Sequence, residues 1–406
     1  MALSAGTRRT VACLLVGLGA LLLVAAIMIP TYTVSRLAKT PLDLEITTVA
    51  TNVPGAPSEV LDSKSLTSPT GAAKVDTNVP LFSQRFLTVE DPSDASEMTI
   101  QAGQTLRRTD KQGDTGLLTA LVDRVTIDRK NGMPVDAVDG GPNGSIAATV
   151  DKKGAAVMEP VQHTGLQYRF PIGTEKKTYP YFDVNVRKTF DINFVEETEI
   201  NDMKVYHFQQ TIPVTDLSTV VNSPTNKLAL PAEKWGVDGG DTPITMTRFY
   251  TDTRDVWVEP KTGTVIKGGE QIHQFYARDA AKPEVTVLNA HLVFDENTIE
   301  SQISVAKTNI DKLSLYGRTL PIVFGILGAI ALIAGLVIGL LGGNGNGGTP
   351  VRRVSPAAGG PAPGGPAPGA TFPSSPPQGR VDHFADAPTQ QIDISKTQQI
   401  DMDKNP

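Results

Sequence analysis

The chain of 406 residues has a net charge of -6 and a single cysteine, Cys13. This acidic balance argues against a basic surface that would bind nucleic acid through phosphate contacts. One cysteine can form neither an internal disulfide nor a cysteine-built zinc site. We therefore expect no nucleic-acid partner, no metal site and no cofactor.

The first 35 residues predict a membrane anchor. Residues 1–9 carry two arginines, and residues 10–35 contain no charged side chain. About 20 apolar residues in a helix cross the hydrocarbon core, so we predict a transmembrane helix over residues 10–35 that acts as an uncleaved signal anchor. A cleaved signal peptide is the alternative. It is disfavoured because Met28, Ile29 and Pro30 follow the apolar run instead of a small-x-small cleavage site.

Residues 36–318 predict a strand-rich domain. Apolar residues alternate over 188–196 and again after Asn201 and Asp202, which is typical of a hairpin. Helices are predicted over 117–125 and over 295–316, the second beginning at an Asp295 cap. The other predicted strands cover residues 42–50, 83–89, 98–102, 126–129, 245–251, 255–259, 265–276 and 284–294. The fold class is therefore mainly β (α+β), with one large antiparallel domain.

A second apolar run ends this domain. Residues 319–341 carry no charge and predict a second transmembrane helix. Arg8 and Arg9 precede the first helix, and Arg352 and Arg353 follow the second, which favours both termini in the cytoplasm. We expect a two-pass plasma-membrane protein whose domain of residues 36–318 is extracytoplasmic.

Residues 342–406 form a compositionally different segment. They are rich in Gly and Pro, which predicts a disordered cytoplasmic tail. A Thr-Gln-Gln-Ile-Asp repeat begins at Thr389 and again at Thr397. A threonine with isoleucine three residues on resembles ligands of forkhead-associated domains, so one hypothesis is phosphorylation at these threonines and recruitment of a phosphothreonine-reading partner. The alternative is a plain polar tail.

Aromatic residues are concentrated in the segment 168–183. Tyr179 and Tyr181 lie there beside Lys176 and Lys177. Rings supply apolar contact area and flanking charges orient a ligand, so the segment suits a sugar or a lipid headgroup. A plain core cluster is the alternative origin of this pattern.

The segments 173–183 and 247–263, with two terminal apolar helices around a strand-rich domain, resemble the actinobacterial PorA-like family. The resemblance covers residues 10–341. The architecture is also similar to that of CD36-type scavenger receptors, whose domain is anchored by two helices. Resemblance to the PorA-like family implies a place in a mycolate-type envelope and a role in the maturation or transport of lipomannan and lipoarabinomannan.

These observations lead us to expect a non-enzymatic protein that binds, shields or transports a lipid or lipoglycan, with Lys176, Lys177, Tyr179 and Tyr181 as ligand-binding residues. Its expected partners are membrane lipids or lipoglycans and envelope glycosyltransferases. A porin is disfavoured, because a porin crosses the membrane with a closed barrel of lipid-facing strands. Two alternatives stay open. One is a glycan-modifying enzyme that uses carboxylates such as Glu196 or Asp255, and the other is a scaffold that recruits glycosyltransferases.

Overall fold

The computed structural model describes residues 5–33, 38–149 and 156–341. The predicted tail, with Thr389 and Thr397, lies outside the described residues. The helices are α1 (Ala5–Met28, followed by a π-helical turn, Ile29–Thr33), α2 (Ser63–Thr67), α3 (Ala232–Trp235), α4 (Glu296–Ser314) and α5 (Leu320–Leu341). Within the described residues, two helical stretches, Gly6–Tyr32 and Glu296–Leu341, are long and apolar enough to cross a membrane.

Most of the remaining chain forms one antiparallel sheet, which has fifteen strands in the described ranges. They are β1 (Glu45–Asn52), β2 (Ser58–Leu61), β3 (Val75–Thr77), β4 (Leu81–Glu90), β5 (Glu97–Arg108), β6 (Leu117–Asp128), β7 (Gly144–Ala147), β8 (Glu159–Val161), β9 (Tyr179–Asp183), β10 (Lys188–Ile200), β11 (Met203–Asp216), β12 (Lys227–Pro231), β13 (Pro243–Glu259), β14 (Thr264–Ala277) and β15 (Val285–Phe294). The prediction of a mainly β, antiparallel fold is confirmed.

The two ends of this sheet meet. The strand order runs β8-β7-β6-β5-β4-β1-β15-β14-β13-β11-β10-β9. Leu166, shortly after β8, forms a parallel bridge with Tyr181 of β9. The Leu166 N–H donates to the Pro180 carbonyl at 2.8 Å, and the Phe182 N–H donates to the Leu166 carbonyl at 2.7 Å. The chain after β8, at one end of the strand order, therefore pairs with β9, at the other end, and the sheet closes into a barrel.

The predicted hairpin between β10 and β11 is confirmed. Ile200 pairs with Met203, so the turn consists of Asn201 and Asp202 alone. Their φ angles are 47° and 61°. Asn and Asp tolerate this left-handed region better than other residues with a side chain, which is why such pairs favour two-residue hairpins.

Two predicted segments differ in the structure. Residues 117–125 are strand rather than helix, because β6 pairs with β5 along its whole length, and this tertiary pairing outweighs local helix propensity. The two strands predicted over 245–251 and 255–259 are one continuous strand, β13. Asp252 and Arg254, which lie between the two predicted strands, are both buried inside the barrel.

Side chains alternate between the inside and the outside of the barrel. On β5, Met98, Ile100 and Ala102 point inward and are at most 2% exposed. Gln101 and Thr105 lie on the opposite face of the same strand. Because strands that cross a membrane need an apolar outer face, these strands are suited to water outside and a packed interior.

Small residues bring α1 and α5 into close contact. A Cβ added to Gly19 would lie 2.6 Å from the Leu332 nitrogen, and one added to Gly335 would lie 2.9 Å from the Ala12 carbonyl oxygen. Only glycine permits backbones to approach this closely, as in other pairs of apolar helices. The two apolar helices therefore pack against each other as a pair.

Helix α4 begins where the sequence predicts, since the Asp295 carboxylate accepts a hydrogen bond from the Thr298 N–H at 2.8 Å. The helix covers a gap in the barrel wall. β15 pairs with β1 only from Ala50 to Asn52, and with β14 only from Gly269 to Tyr276. The first residues of β1 and of β14 therefore have no partner in β15, which leaves the gap. In this gap the Val49 N–H donates to Thr298 Oγ1 at 3.0 Å. A helix that leads into α5 is therefore part of the barrel wall.

Candidate functional site

A cavity of about 130 Å³ lies inside the barrel. Residues of β1, β4, β5, β9, β13, β14 and β15 line it, together with one side of α4. The lining includes Pro41 and Leu44, which follow α1 closely, and Val305 and Asn309, which precede α5 closely. The cavity therefore reaches the end of the barrel to which both apolar helices are connected.

A buried charge cluster forms part of the cavity wall, with Arg254 at its centre. The Arg254 guanidinium donates from Nε to Glu270 at 2.9 Å, from Nη1 to Gln210 at 2.8 Å and from Nη2 to Asp183 at 2.7 Å. Although burial raises the pKa of Glu270, the positive charges of Arg254 and Arg85 lower it below its usual value. Arg254 thus links β9, β11 and β14 through groups that carry opposite charge or accept hydrogen bonds.

Asp252 is the least well compensated member of this cluster. Its Oδ2 lies 3.4 Å from Arg254 Nη2, and neither of its carboxylate oxygens forms a hydrogen bond within the described residues. Burial, and then the negative charge of Glu270, raise the pKa of the Asp252 carboxyl well above its usual value. Asp252 therefore favours its protonated form inside the barrel.

A second polar network holds the barrel closed. The fully buried Asp123 carboxylate accepts hydrogen bonds from the Tyr168 hydroxyl and from Gln167 Nε2, the latter at 2.6 Å, and its Oδ1 lies 2.8 Å from His163 Nε2. Burial first, and then the Asp123 charge, raise the pKa of Tyr168 well above its usual value. Asp123 belongs to β6, so these bonds fix the segment after β8 across the closure of the sheet.

Two arginines at the cavity have no carboxylate partner in the described part of the chain. Arg85 donates from Nε and Nη2 to Gln104 Oε1 at 3.3 and 3.1 Å, and Arg169 donates from Nη2 to the Thr262 carbonyl at 2.7 Å. Burial lowers the pKa of Arg169 to about 10, which still leaves its guanidinium charged at neutral pH. Within the described ranges, neither arginine therefore has a carboxylate at hydrogen-bond distance, although the charges of Arg85 and Glu270 interact across the cavity wall.

The four residues predicted to bind a ligand lie in different surroundings. Tyr179 and Tyr181 are each 6% exposed and pack in the core beside Phe208. Tyr181 also lines the cavity. Lys176 and Lys177 are surface residues, ion-paired to Glu197 at 2.6 Å and Glu175 at 2.5 Å. A role for these four residues in ligand binding stays a prediction.

The two carboxylates considered for catalysis meet at one histidine on the outer face of the barrel. Asp255 Oδ1 lies 2.8 Å from His207 Nε2, and Glu196 Oε1 lies 4.0 Å from His207 Nδ1. The His207 ring stacks on Trp257 with a centroid distance of 4.4 Å. Sequence spacing did not predict this convergence, because Glu196, His207 and Asp255 belong to three different strands.

Arg85, Arg254 and Glu270 were not predicted from the sequence as site residues. A signal for them exists in the strand periodicity. Arg254 occupies the same face as Val256, and Glu270 the same face as Ile272, so each is a charged residue at an inward position. A charge in an otherwise apolar row indicates a buried, paired group.

The fold and the cavity define a class: a closed antiparallel barrel with a packed interior and a cavity whose wall is partly charged, joined to a pair of apolar helices. Sequence comparison specifies the family. The profile of the family described as Porin PorA matches residues 11–337. A protein of Corynebacterium resistens named Porin PorA is 32% identical over an alignment of 408 positions, which covers 82% of this chain and 97% of the relative. Another Porin PorA, from Corynebacterium amycolatum, is 30% identical and covers 82% and 98%. The chain therefore belongs to the PorA family.

Membership in this family confirms the resemblance inferred from the sequence and identifies a membrane protein of the cell envelope. It also corrects the functional expectation. The relatives are named as porins, a class of channel-forming proteins, so the prediction of a protein that binds, shields or transports a lipid or lipoglycan is wrong. The likeness to CD36-type receptors gains no support from these relatives. The expectation failed because it treated two apolar helices as incompatible with a porin name.

Proposed function

We propose that this protein serves the passage of small hydrophilic solutes in the cell envelope, with the barrel interior as part of the solute path. The observation that carries the proposal is the cavity of about 130 Å³, whose wall combines charged and polar side chains and reaches the end of the barrel joined to the apolar helices. The porin name of the relatives supports the same class of function. A non-enzymatic role follows from this proposal.

The proposed solute path differs from the path through a porin whose own strands cross the membrane. Outward positions on β13 are occupied by Thr251, Thr253 and Asp255, which lipid would not accommodate. In the proposal, α1 and α5 cross the plasma membrane, both termini are cytoplasmic, and the barrel lies on the extracytoplasmic side. One pair of apolar helices encloses no water, so crossing the bilayer itself requires several copies of the pair.

Solute flux tests the proposal directly. The full chain is reconstituted in liposomes, and the entry of small sugars and organic acids is measured by swelling. Thr48 lines the cavity and is 8% exposed, whereas the neighbouring Thr47 faces outward. We expect Thr48→Trp to fill the cavity and block flux, and Thr47→Trp to leave flux unchanged. Absence of flux through the folded wild-type chain, or equal flux through both variants, would overturn the proposal.

The orientation has its own test. Cys13 is the chain's single cysteine and lies in α1. In a Cys13→Ser background, single cysteines at exposed barrel positions such as Thr47 should react with a membrane-impermeant maleimide in intact cells, while one at Ser4 should react only after lysis. The reverse pattern would contradict the proposed orientation.

A further inference from the structure

The arginines inside the barrel fall into two groups. Arg254 and Arg108 each have carboxylates at hydrogen-bond distance, Arg254 with Asp183 and Arg108 with Asp76 and Asp110. Arg85 and Arg169 have none within 4.0 Å among the described residues. A guanidinium in a partly buried site normally has a carboxylate partner, because removing its charge from water is costly. These two arginines depart from that rule.

Their unused donors are accessible. Arg85 Nη1 and the Nε and Nη1 of Arg169 form no hydrogen bond to the part of the chain that the structure describes, and they are not among the buried atoms that lack a partner. Both residues line the cavity. Tyr168 lines the same cavity, and the Arg85 guanidinium carbon is 6.0 Å from its ring centroid. Both arginines therefore contribute to the lining of one cavity and keep N–H groups that the described residues do not use.

We propose that this cavity is a binding site for a small oxyanion, a carboxylate or phosphate group, held by Arg85 and Arg169. Planar guanidinium groups match the geometry of such oxyanions and donate two parallel hydrogen bonds to them. Gln104 fixes Arg85 from the side of β5, and the Thr262 carbonyl fixes Arg169 from the turn before β14. The two donors are thus positioned before the ligand arrives.

The cavity is large enough for such an anion. Its volume of about 130 Å³ is well above the roughly 10–15 Å³ of the same measure that one water molecule needs, so a phosphate or a short-chain carboxylate fits. Binding of the anion does not depend on the proposed function. Only its passage after binding rests on that proposal.

Equilibrium binding tests the inference without any measurement of flux. The full chain in detergent at low salt is titrated by calorimetry with inorganic phosphate, and separately with lactate, a short-chain carboxylate. We expect one saturable site for at least one of these probes. Arg85→Gln and Arg169→Gln should each weaken binding by about tenfold or more, because each removes charge-assisted hydrogen bonds.

Two further variants make the result specific. Arg85→Lys keeps the charge without the paired donors and should retain part of the affinity. Arg107→Gln removes a neighbouring arginine that faces away from the cavity and donates to the Gly113 carbonyl at 2.9 Å, so binding should be unchanged. Thermal unfolding confirms that each variant is folded.

The outcomes separate the two proposals. No saturable binding of either probe to about 10 mM, or binding that survives both Arg85→Gln and Arg169→Gln, overturns the anion site. Binding that depends on these arginines in a chain that shows no flux would support the anion site and overturn only the passage function. Flux through a chain that shows no anion binding would support the passage function and overturn the anion site.

Discussion

Arg254→Gln should destabilise the barrel strongly. The Arg254 guanidinium donates to Glu270 at 2.9 Å and to Asp183 at 2.7 Å, and Asp183 is fully buried. Glutamine keeps a polar side chain but leaves the buried Asp183 carboxylate and the partly buried Glu270 carboxylate without their cation. Removing one partner of a buried ion pair costs about 3–5 kcal/mol. We therefore expect the free energy of unfolding to fall by about 4 kcal/mol.

Thermal and urea unfolding of the full chain in detergent measure this loss. Trp257 lies on β13, and Trp235, at the end of α3, packs against Met246 and Tyr276 of the sheet, so both report unfolding of the barrel by fluorescence. For a domain of this size, each kcal/mol shifts the melting temperature by about 2–4 °C, so a fall of about 10 °C is expected. Arg278→Gln is the matched control. Arg278 pairs with Glu284 at 2.5 Å but is 55% exposed, so its loss should cost at most about 1 kcal/mol.

The pH dependence adds a second criterion. The pKa of Glu270 is lowered in the folded barrel, so its ion pair contributes stability above the unfolded-state pKa and loses it as the pH falls through the folded-state value. The deficit of Arg254→Gln should therefore shrink in acid. If Arg254→Gln costs no more than Arg278→Gln at neutral pH, the claim that the cluster is a buried, charge-compensated unit is refuted.

Two other substitutions test further features. The pKa of Asp252 is raised in the folded barrel. Its contribution to stability is therefore lost as the pH rises from the unfolded-state pKa of this carboxyl to its folded-state pKa. Asp252→Asn should stabilise the barrel at neutral pH, by about 1–3 kcal/mol, and the gain should vanish in acid unfolding measurements. In the helix pair, Gly335→Ala places a Cβ 2.8–2.9 Å from the facing helix, whereas Gly17→Ala meets nothing within 4 Å. Only Gly335→Ala should lower the melting temperature in detergent, and equal melting temperatures would contradict the close helix contact.

Local patterns explain which parts of the fold could be predicted. The β10–β11 hairpin was predictable because alternation and a turn at Asn201 and Asp202 are both encoded within a short stretch. The same holds for the start of α4 at Asp295, where a cap uses only neighbouring residues. β6 was mispredicted as a helix because its partner, β5, decides its conformation. Pairing between strands is information that a window of a few residues does not contain.

The sequence alone determined the chemical character of each segment: two charge-free apolar runs, a strand-rich stretch between them and a Gly- and Pro-rich end. These properties depend on composition and short-range periodicity, and family membership follows from the same residues. Only the tertiary structure decided that the sheet closes at Leu166 and Tyr181, and that Arg254 finds Asp183 and Glu270 inside it. Residues far apart in sequence meet through strand register and barrel closure, and the cavity exists only where those long-range contacts bring charged and apolar side chains together.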